Sequence, residues 1–168
     1  RQEGPEVLFE FNHFHSSLIA YSYLANVLAE KYGARIVAYG YADSIRWTLY
    51  ARLASNTKRT YQSFNTSRFF NVVVTRRQAQ QARLLSEEAY ASLHSTRDVE
   101  DLVVDGIWIG DLVYDAYLKS FRVPTVDLIS PQFMESLRQF MEYFVFWRDY
   151  LDTHEVKAIS VSHCVYTL

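Results

Sequence analysis

The residues best suited to chemistry follow the first apolar run of the chain, residues 7–11. Asn12, His13 and His15 come directly after this run, which has the length of a strand. A histidine exchanges a proton near neutral pH, so His13 or His15 could be the general base that deprotonates a hydroxyl nucleophile. We therefore predict His13 and His15 as candidate catalytic residues and Asn12 as a candidate substrate-binding residue.

The same segment also has an interpretation without catalysis. One histidine can pack beneath a sheet edge while Asn12 or Ser16 caps the helix that follows. That helix would also present unpaired N–H groups and the positive end of its dipole to an anionic group. The histidine spacing belongs to no exclusive motif, so both interpretations stay open.

A second histidine of interest follows the last apolar run, residues 156–161. His163 would approach Asn12 and His13 if the first and last strands are neighbours, and we predict it as a substrate-binding residue. Cys164 is adjacent to His163 in sequence, and adjacent strand residues point to opposite faces, which disfavours a catalytic thiol and base pair. We therefore expect Cys164 to be a small buried residue.

The run Gly106-Ile-Trp-Ile-Gly110-Asp111 resembles a phosphate loop only superficially. It has neither the Gly-x-Gly-x-x-Gly spacing nor the Walker lysine. Gly110 is predicted to permit a tight turn from strand to helix, and Asp111 to cap the helix. A cap at the sheet edge would face a cleft, so Asp111 is also predicted to contact substrate. The chain has no metal-ligand spacing, and neither a metal nor another cofactor is expected.

Charge and composition exclude several classes of partner. The chain has a formal net charge of −2, from 17 basic and 19 acidic residues spread along its length, which argues against nucleic acid. Cys164 is the single cysteine, so no internal disulfide can form and a reducing cytosol is expected. No apolar run has the roughly 20 residues of a transmembrane helix. We expect a cytoplasmic protein. Peripheral association with the inner face of the membrane stays open as an alternative.

The elements that must position these residues alternate between strand and helix patterns. Strands are predicted at residues 7–11, 34–39, 69–74, between 101 and 110, and at 156–161, and helices at 18–32, 43–54, 78–93, 111–121 and 131–153. Polar residues 55–67 predict a loop. This alternation predicts an α/β fold of the Rossmann-like, doubly wound type, a mostly parallel sheet with helices on both faces. The polar segments after the first, fourth and last strands would then meet at one carboxyl edge.

The length of the sequence and the residues at its two ends lead to two expectations about domain organisation. The 168 residues are enough for one ordinary core, so a single domain over 1–168 is expected. The sequence begins without Met and stops just after an apolar run, so we expect part of a larger protein.

Three blocks carry a resemblance to a known class. Residues 7–15, 105–118 and 156–166 resemble bacterial surface-carbohydrate biosynthesis proteins of capsule and lipopolysaccharide pathways, glycosyltransferases of the two-domain GT-B type. The resemblance implies an N-terminal, acceptor-side domain, a nucleotide-sugar donor and a glycan acceptor. It assigns no catalytic residue. Two rivals stay open: a non-catalytic Rossmann-like domain that binds a ligand or partner, and a small hydrolase, although no Gly-x-Ser-x-Gly elbow is present.

Overall fold

The computed structural model of the protein describes residues 4–11, 15–41 and 58–161. In chain order its elements are β1 (Glu6–Glu10), α1 (His15–Tyr32), β2 (Arg35–Tyr41), a helical segment α2 (58–63), β3 (Thr66–Val72), α3 (Arg76–Ser92), α4 (Thr96–Glu100), β4 (Val103–Val104), β5 (Ile107–Trp108), α5 (Gly110–Phe121), α6 (Pro131–Thr153) and β6 (Val156–Ser160). The chain divides into two compact units. The first contains the described residues up to 73 and those from 149 onward, and the second contains 74–148.

A four-stranded parallel sheet forms the centre of the first unit. Its strand order is β3-β2-β1-β6, and each neighbouring pair is parallel. Val7, Leu8 and Phe9 of β1 are completely buried because this strand has a neighbour on each side. The predicted α/β class with a parallel sheet is confirmed. The first and last strands are neighbours, which is the condition under which His163 was expected to approach Asn12 and His13.

Helix α1 connects β1 to β2 and ends where the sequence predicts. Gly33 has a φ of +59°, the left-handed conformation that a glycine adopts at a helix end without steric cost. The backbone N–H of Ala34 then donates to the carbonyl oxygen of Ala29 at 2.9 Å, which satisfies a carbonyl left free in the last turn. Only two residues, Gly33 and Ala34, therefore connect the end of α1 to the start of β2.

One face of the sheet carries the core of the first unit. Leu18 and Ala25 of α1 and Tyr61 of α2 are buried there, so both helices pack on this face; the sheet residues of the cluster are Val7, Phe9, Ile36 and Ala38. The predicted loop at 55–67 is therefore wrong for residues 58–63, which are helical, and for 66–67, which begin β3; residues 64–65 form a turn. The predicted helix over 43–54 lies outside the described residues.

The second unit contains a hairpin where a strand of the parallel sheet was expected. Val103 pairs with Trp108 and Val104 with Ile107 in an antiparallel ladder. The two loop residues Asp105 and Gly106 have φ values of +50° and +78°, as a type I′ turn requires. The prediction of a fourth parallel strand in this region is wrong, because the chain reverses within two residues.

Helix α6 supplies much of the core of the second unit. Phe133, Leu137, Met141 and Val145 recur at every fourth position and are completely buried. Residues of α3, α4 and α5 pack in the same cluster, and its aromatic contacts include the edge-to-face pair of Tyr117 and Phe133. The predicted helix over 131–153 is confirmed with its bounds. Within the described ranges, none of the helices combines the length and apolar character that crossing a membrane requires.

Candidate functional site

Most of the residues predicted to form the site lie outside the described part of the chain. Asn12 and His13 precede α1, and His163 follows β6 together with Cys164; all four are outside the described residues. His15 is the first residue of α1, and its side chain is also outside the described part. The roles predicted for these residues stay predictions.

Asp111 lies in the second unit, in the first turn of α5. The prediction that it caps this helix is wrong: Ile109 is the N-cap, and no side-chain hydrogen bond caps the helix. The Asp111 carboxylate instead accepts a hydrogen bond from the backbone N–H of Leu112 at 2.8 Å. Asp111 follows an antiparallel hairpin and not a strand of the parallel sheet, so the predicted strand that was to place it at the carboxyl edge is absent from this described region.

Gly110 was predicted to permit a tight turn from strand to helix, and the structure shows a further reason for a glycine there. A Cβ atom at this position would lie 2.2 Å from the carbonyl oxygen of Glu100 and 2.3 Å from that of Val99. The N–H groups of Ile109 and Gly110 both donate to the carbonyl oxygen of Leu102. Glycine is therefore required because the backbones of α4 and α5 approach too closely for any side chain.

The strand order reverses at β1. From this strand the chain runs outward through β2 to β3, whereas the last strand, β6, pairs on the opposite side of β1. In open α/β sheets, ligands bind in the crevice outside the carboxyl ends of the two strands where the order reverses. Phe9 pairs with Ser160 near these ends. β1 and β6 therefore end side by side at the same edge of the sheet; Asn12, His13 and His163, which follow these strands in the sequence, lie outside the described residues.

A cavity of about 250 Å³ lies at the carboxyl ends of β2 and β3 in the first unit. The described residues that line it are Phe11, Ala38, Gly40, Lys58, Phe69, Phe70 and Asn71. The rings of Phe11 and Phe69 meet edge to face with their centroids 5.9 Å apart. Lys58 Nζ, from the start of the described part of α2, lies 4.9 Å from the centroid of Phe69. This geometry combines an aromatic wall with one cation.

Two polar side chains of the cavity are available to a ligand. Lys58 and Asn71 are exposed, and neither forms an ion pair or hydrogen bond through its side chain with another described residue. Gly40 leaves part of the cavity unfilled, because a Cβ there would lie between Asn71 and Phe11, in ordinary van der Waals contact with Asn71 Oδ1 at 3.7 Å and Phe11 Cβ at 3.9 Å. The arrangement can donate to an anion through Lys58 and exchange hydrogen bonds with hydroxyl groups through Asn71.

Sequence reasoning did not single out these cavity residues. Phe69 and Asn71 lie two residues apart in β3 and so face the same side, a period-two signal that was readable within the predicted strand. Lys58 carried no such signal, because it fell in a segment predicted as a loop.

The opposite, amino edge of the sheet holds a buried ion network. Glu6, only 1% exposed, accepts hydrogen bonds from Arg35, from Arg68 Nη2 at 2.9 Å and from the Tyr150 hydroxyl at 2.6 Å. The ring of Tyr150 stacks on Phe70 at a centroid distance of 4.9 Å. The network joins β1, β2, β3 and the end of α6, and it lies away from the edge where ligands of such sheets bind.

The network determines the protonation of its members. Burial alone would raise the pKa of Glu6, but hydrogen bonds from Tyr150 and Arg35 and the charges of both arginines outweigh burial and lower it. Burial, followed by the hydrogen bond to Glu6 and its charge, raises the pKa of Tyr150 well above its ordinary value. Glu6 is therefore an anion and Tyr150 a neutral donor near neutral pH, which indicates a structural role.

Neither a metal site nor a similar protein identifies the function. Among the described residues, no group of three or more His, Cys, Asp or Glu side chains could hold a metal ion. No protein-family model, curated protein or solved structure matches this chain.

Proposed function

We propose that this protein is a glycosyltransferase domain that holds a glycan acceptor at the carboxyl edge of its parallel sheet. The observation that supports the proposal best is the parallel pairing of β6 with β1 at the point where the strand order reverses. The proposal includes the Rossmann-like, doubly wound arrangement with helices on both faces. The resemblance to surface-carbohydrate biosynthesis proteins supplies the reaction class.

The chemistry proposed for this edge is the transfer of a sugar from a nucleotide-activated donor. In an inverting reaction, His13 or His15 takes the proton from the acceptor hydroxyl as its oxygen attacks the anomeric carbon, and the nucleotide leaves with the phosphate. Asn12 and His163 hold the acceptor through hydrogen bonds. A retaining reaction does not need this base. The proposal does not depend on Asp111.

The proposed setting is the cytoplasm, with peripheral association at the inner face of the membrane. Assembly of a surface glycan from nucleotide sugars places the donor in the cytoplasm and the growing acceptor at the membrane.

The test is nucleotide release from a panel of nucleotide sugars in the presence of glycan acceptors, preceded by thermal-shift screening for donors that stabilise the protein. His13→Ala or His15→Ala should reduce turnover by roughly 100-fold or more if that residue is the base. The matched control is His94→Ala, an exposed histidine in the second unit. Unchanged turnover in both edge variants would eliminate the base assignment, and no release with any donor would overturn the proposed transfer.

The cavity favours one alternative function, a binding domain without catalysis. Its described lining contains a lysine and an amide on an aromatic wall but no histidine, carboxylate or thiol that could act as base or nucleophile. Saturable binding of a sugar with no nucleotide release would favour this alternative.

A further inference from the structure

The size of the carboxyl-edge cavity matches a small ligand. Its volume is about 250 Å³, whereas pockets for drug-sized ligands measure roughly 300–1,000 Å³. The cavity therefore has room for one ring with its substituents. One unit of a glycan acceptor has this size.

The walls of the cavity suit a ring with an apolar face. Phe11 and Phe69 provide aromatic surface, and Ala38 and Gly40 leave the floor free of bulky side chains. A pyranose presents C–H groups on its ring faces and hydroxyl groups around its edge. The C–H face can pack on the phenyl rings while the hydroxyl groups reach Asn71, which both donates and accepts hydrogen bonds.

The positive charge in the cavity favours a sugar ring that carries a negative charge. Lys58 is the cation among the described lining residues, and no described carboxylate pairs with it. An ammonium group supplies three donors and no acceptor, so it favours an anionic partner through charge-assisted hydrogen bonds. One lysine balances a carboxylate of charge −1, whereas a phosphate monoester carries about −1.5 to −2 at pH 7.

From these features we propose that the cavity is a subsite for an acidic monosaccharide, a pyranose that carries one carboxylate. Lys58 binds the carboxylate, Asn71 binds ring hydroxyl groups, and the two phenylalanines pack against the ring. The inference rests on the proposed function, because it names the class of acceptor unit that the glycosyltransferase recognises.

The test compares three probes by calorimetric titration at low salt: glucuronic acid, glucose and glucose 6-phosphate. Glucuronic acid should bind roughly tenfold more tightly than glucose, the effect expected of one charge-assisted hydrogen bond, and this preference should fall as salt is added. Equal binding of glucuronic acid and glucose, no binding of either, or a preference for glucose 6-phosphate would each overturn the inference.

Two variants locate the binding. Lys58→Met should abolish the preference for glucuronic acid while leaving glucose binding intact. The control is Lys31→Met, because Lys31 also lies over an aromatic ring, that of Tyr32, but at the far end of α1. Gly40→Val should fill the cavity and remove binding of both sugars; if it unfolds the protein, Asn71→Leu tests the other wall. A preference that survives Lys58→Met would overturn the assignment.

The inference and the proposed function fail in different ways. Nucleotide release with no selectivity for an acidic unit would leave the glycosyltransferase proposal and overturn the subsite. Selective binding of glucuronic acid that depends on Lys58, without release from any donor, would leave the subsite and overturn the transferase.

Discussion

Glu6 is a buried carboxylate whose charge depends on a few specific neighbours. Its oxygens accept hydrogen bonds from two arginines and from Tyr150. A carboxylate at this depth is stable only while those partners remain, since an unpaired buried charge is far more costly than a paired one.

Removal of one hydroxyl group tests this network. Tyr150→Phe deprives Glu6 Oε2 of its 2.6 Å hydrogen bond and keeps the ring that stacks on Phe70. We expect the free energy of unfolding to fall by about 1–3 kcal/mol, measured by urea denaturation. The control Tyr114→Phe, whose hydroxyl makes only a 3.4 Å contact with Thr125, should change it by less than about 0.5 kcal/mol. Equal losses in both variants would contradict the prediction.

The same network predicts how stability depends on pH. The folded pKa of Glu6 is below its ordinary value of 4.5, so its stabilising contribution is present above pH 4.5 and is lost as the pH falls through the folded pKa. The folded pKa of Tyr150 is raised above 10.0, so its contribution is present below pH 10.0 and declines as the pH rises further. The free energy of unfolding should be measured as a function of pH, both below pH 4.5 and above pH 10.0. Below pH 4.5 it should depend less on pH in Glu6→Gln than in the wild type. An unchanged acid slope would exclude Glu6 as its source.

At the level of elements, the contact between α4 and α5 depends on one glycine. In Gly110→Ala the new Cβ would meet backbone oxygens of Val99 and Glu100, which cannot rotate away as a side chain can. We expect a loss of about 1–3 kcal/mol or more in the free energy of unfolding, as for other overpacked sites. Gly4→Ala is the matched control, because nothing lies within 4 Å of its Cβ position. Equal stability of the two variants would show that the helices can separate at little cost.

Local sequence signals were sufficient to predict helices whose apolar residues recur at helical spacing or whose end is marked by a glycine. The helix over 131–153 was predicted from apolar residues at helical spacing, and Gly33 marked the end of α1. The β4–β5 hairpin was missed although Asp105-Gly106 between two apolar pairs is a strong hairpin signal. One parallel strand was predicted between residues 101 and 110, and the reversal of the chain at Asp105-Gly106 was not.

At the scale of the whole molecule, net charge limits the partners. Seventeen basic and nineteen acidic residues give a formal charge of −2. Binding to duplex DNA draws mainly on neutralised phosphates and released counterions, and this chain offers no excess of cations. We expect no shift of a DNA duplex in gel electrophoresis at ~50 mM salt, where non-specific binding is favoured. Salt-dependent retardation of the duplex would contradict the expectation.

The parallel sheet of the first unit was predictable as a class but not in full detail. Alternating strand and helix patterns predict parallel pairing, because a strand that follows a crossover helix returns in the same direction. The position of β6 beside β1 was stated as a condition for the site, and the structure confirms it. The periodicity of a strand does not specify its neighbours, since the same apolar residues would be buried in several strand orders.

The amino-acid sequence by itself determined the α/β class, the parallel direction of β1, β2, β3 and β6, the approximate bounds of α1, α3, α5 and α6, and the net charge, because these follow from local periodicity and composition. Only the tertiary structure decided three features: the strand order, the network around Glu6, and the cavity that joins Lys58 to Phe69 and Asn71. The physical reason is the same for all three. Each depends on contacts between residues distant in the chain, and such contacts leave no period in the sequence.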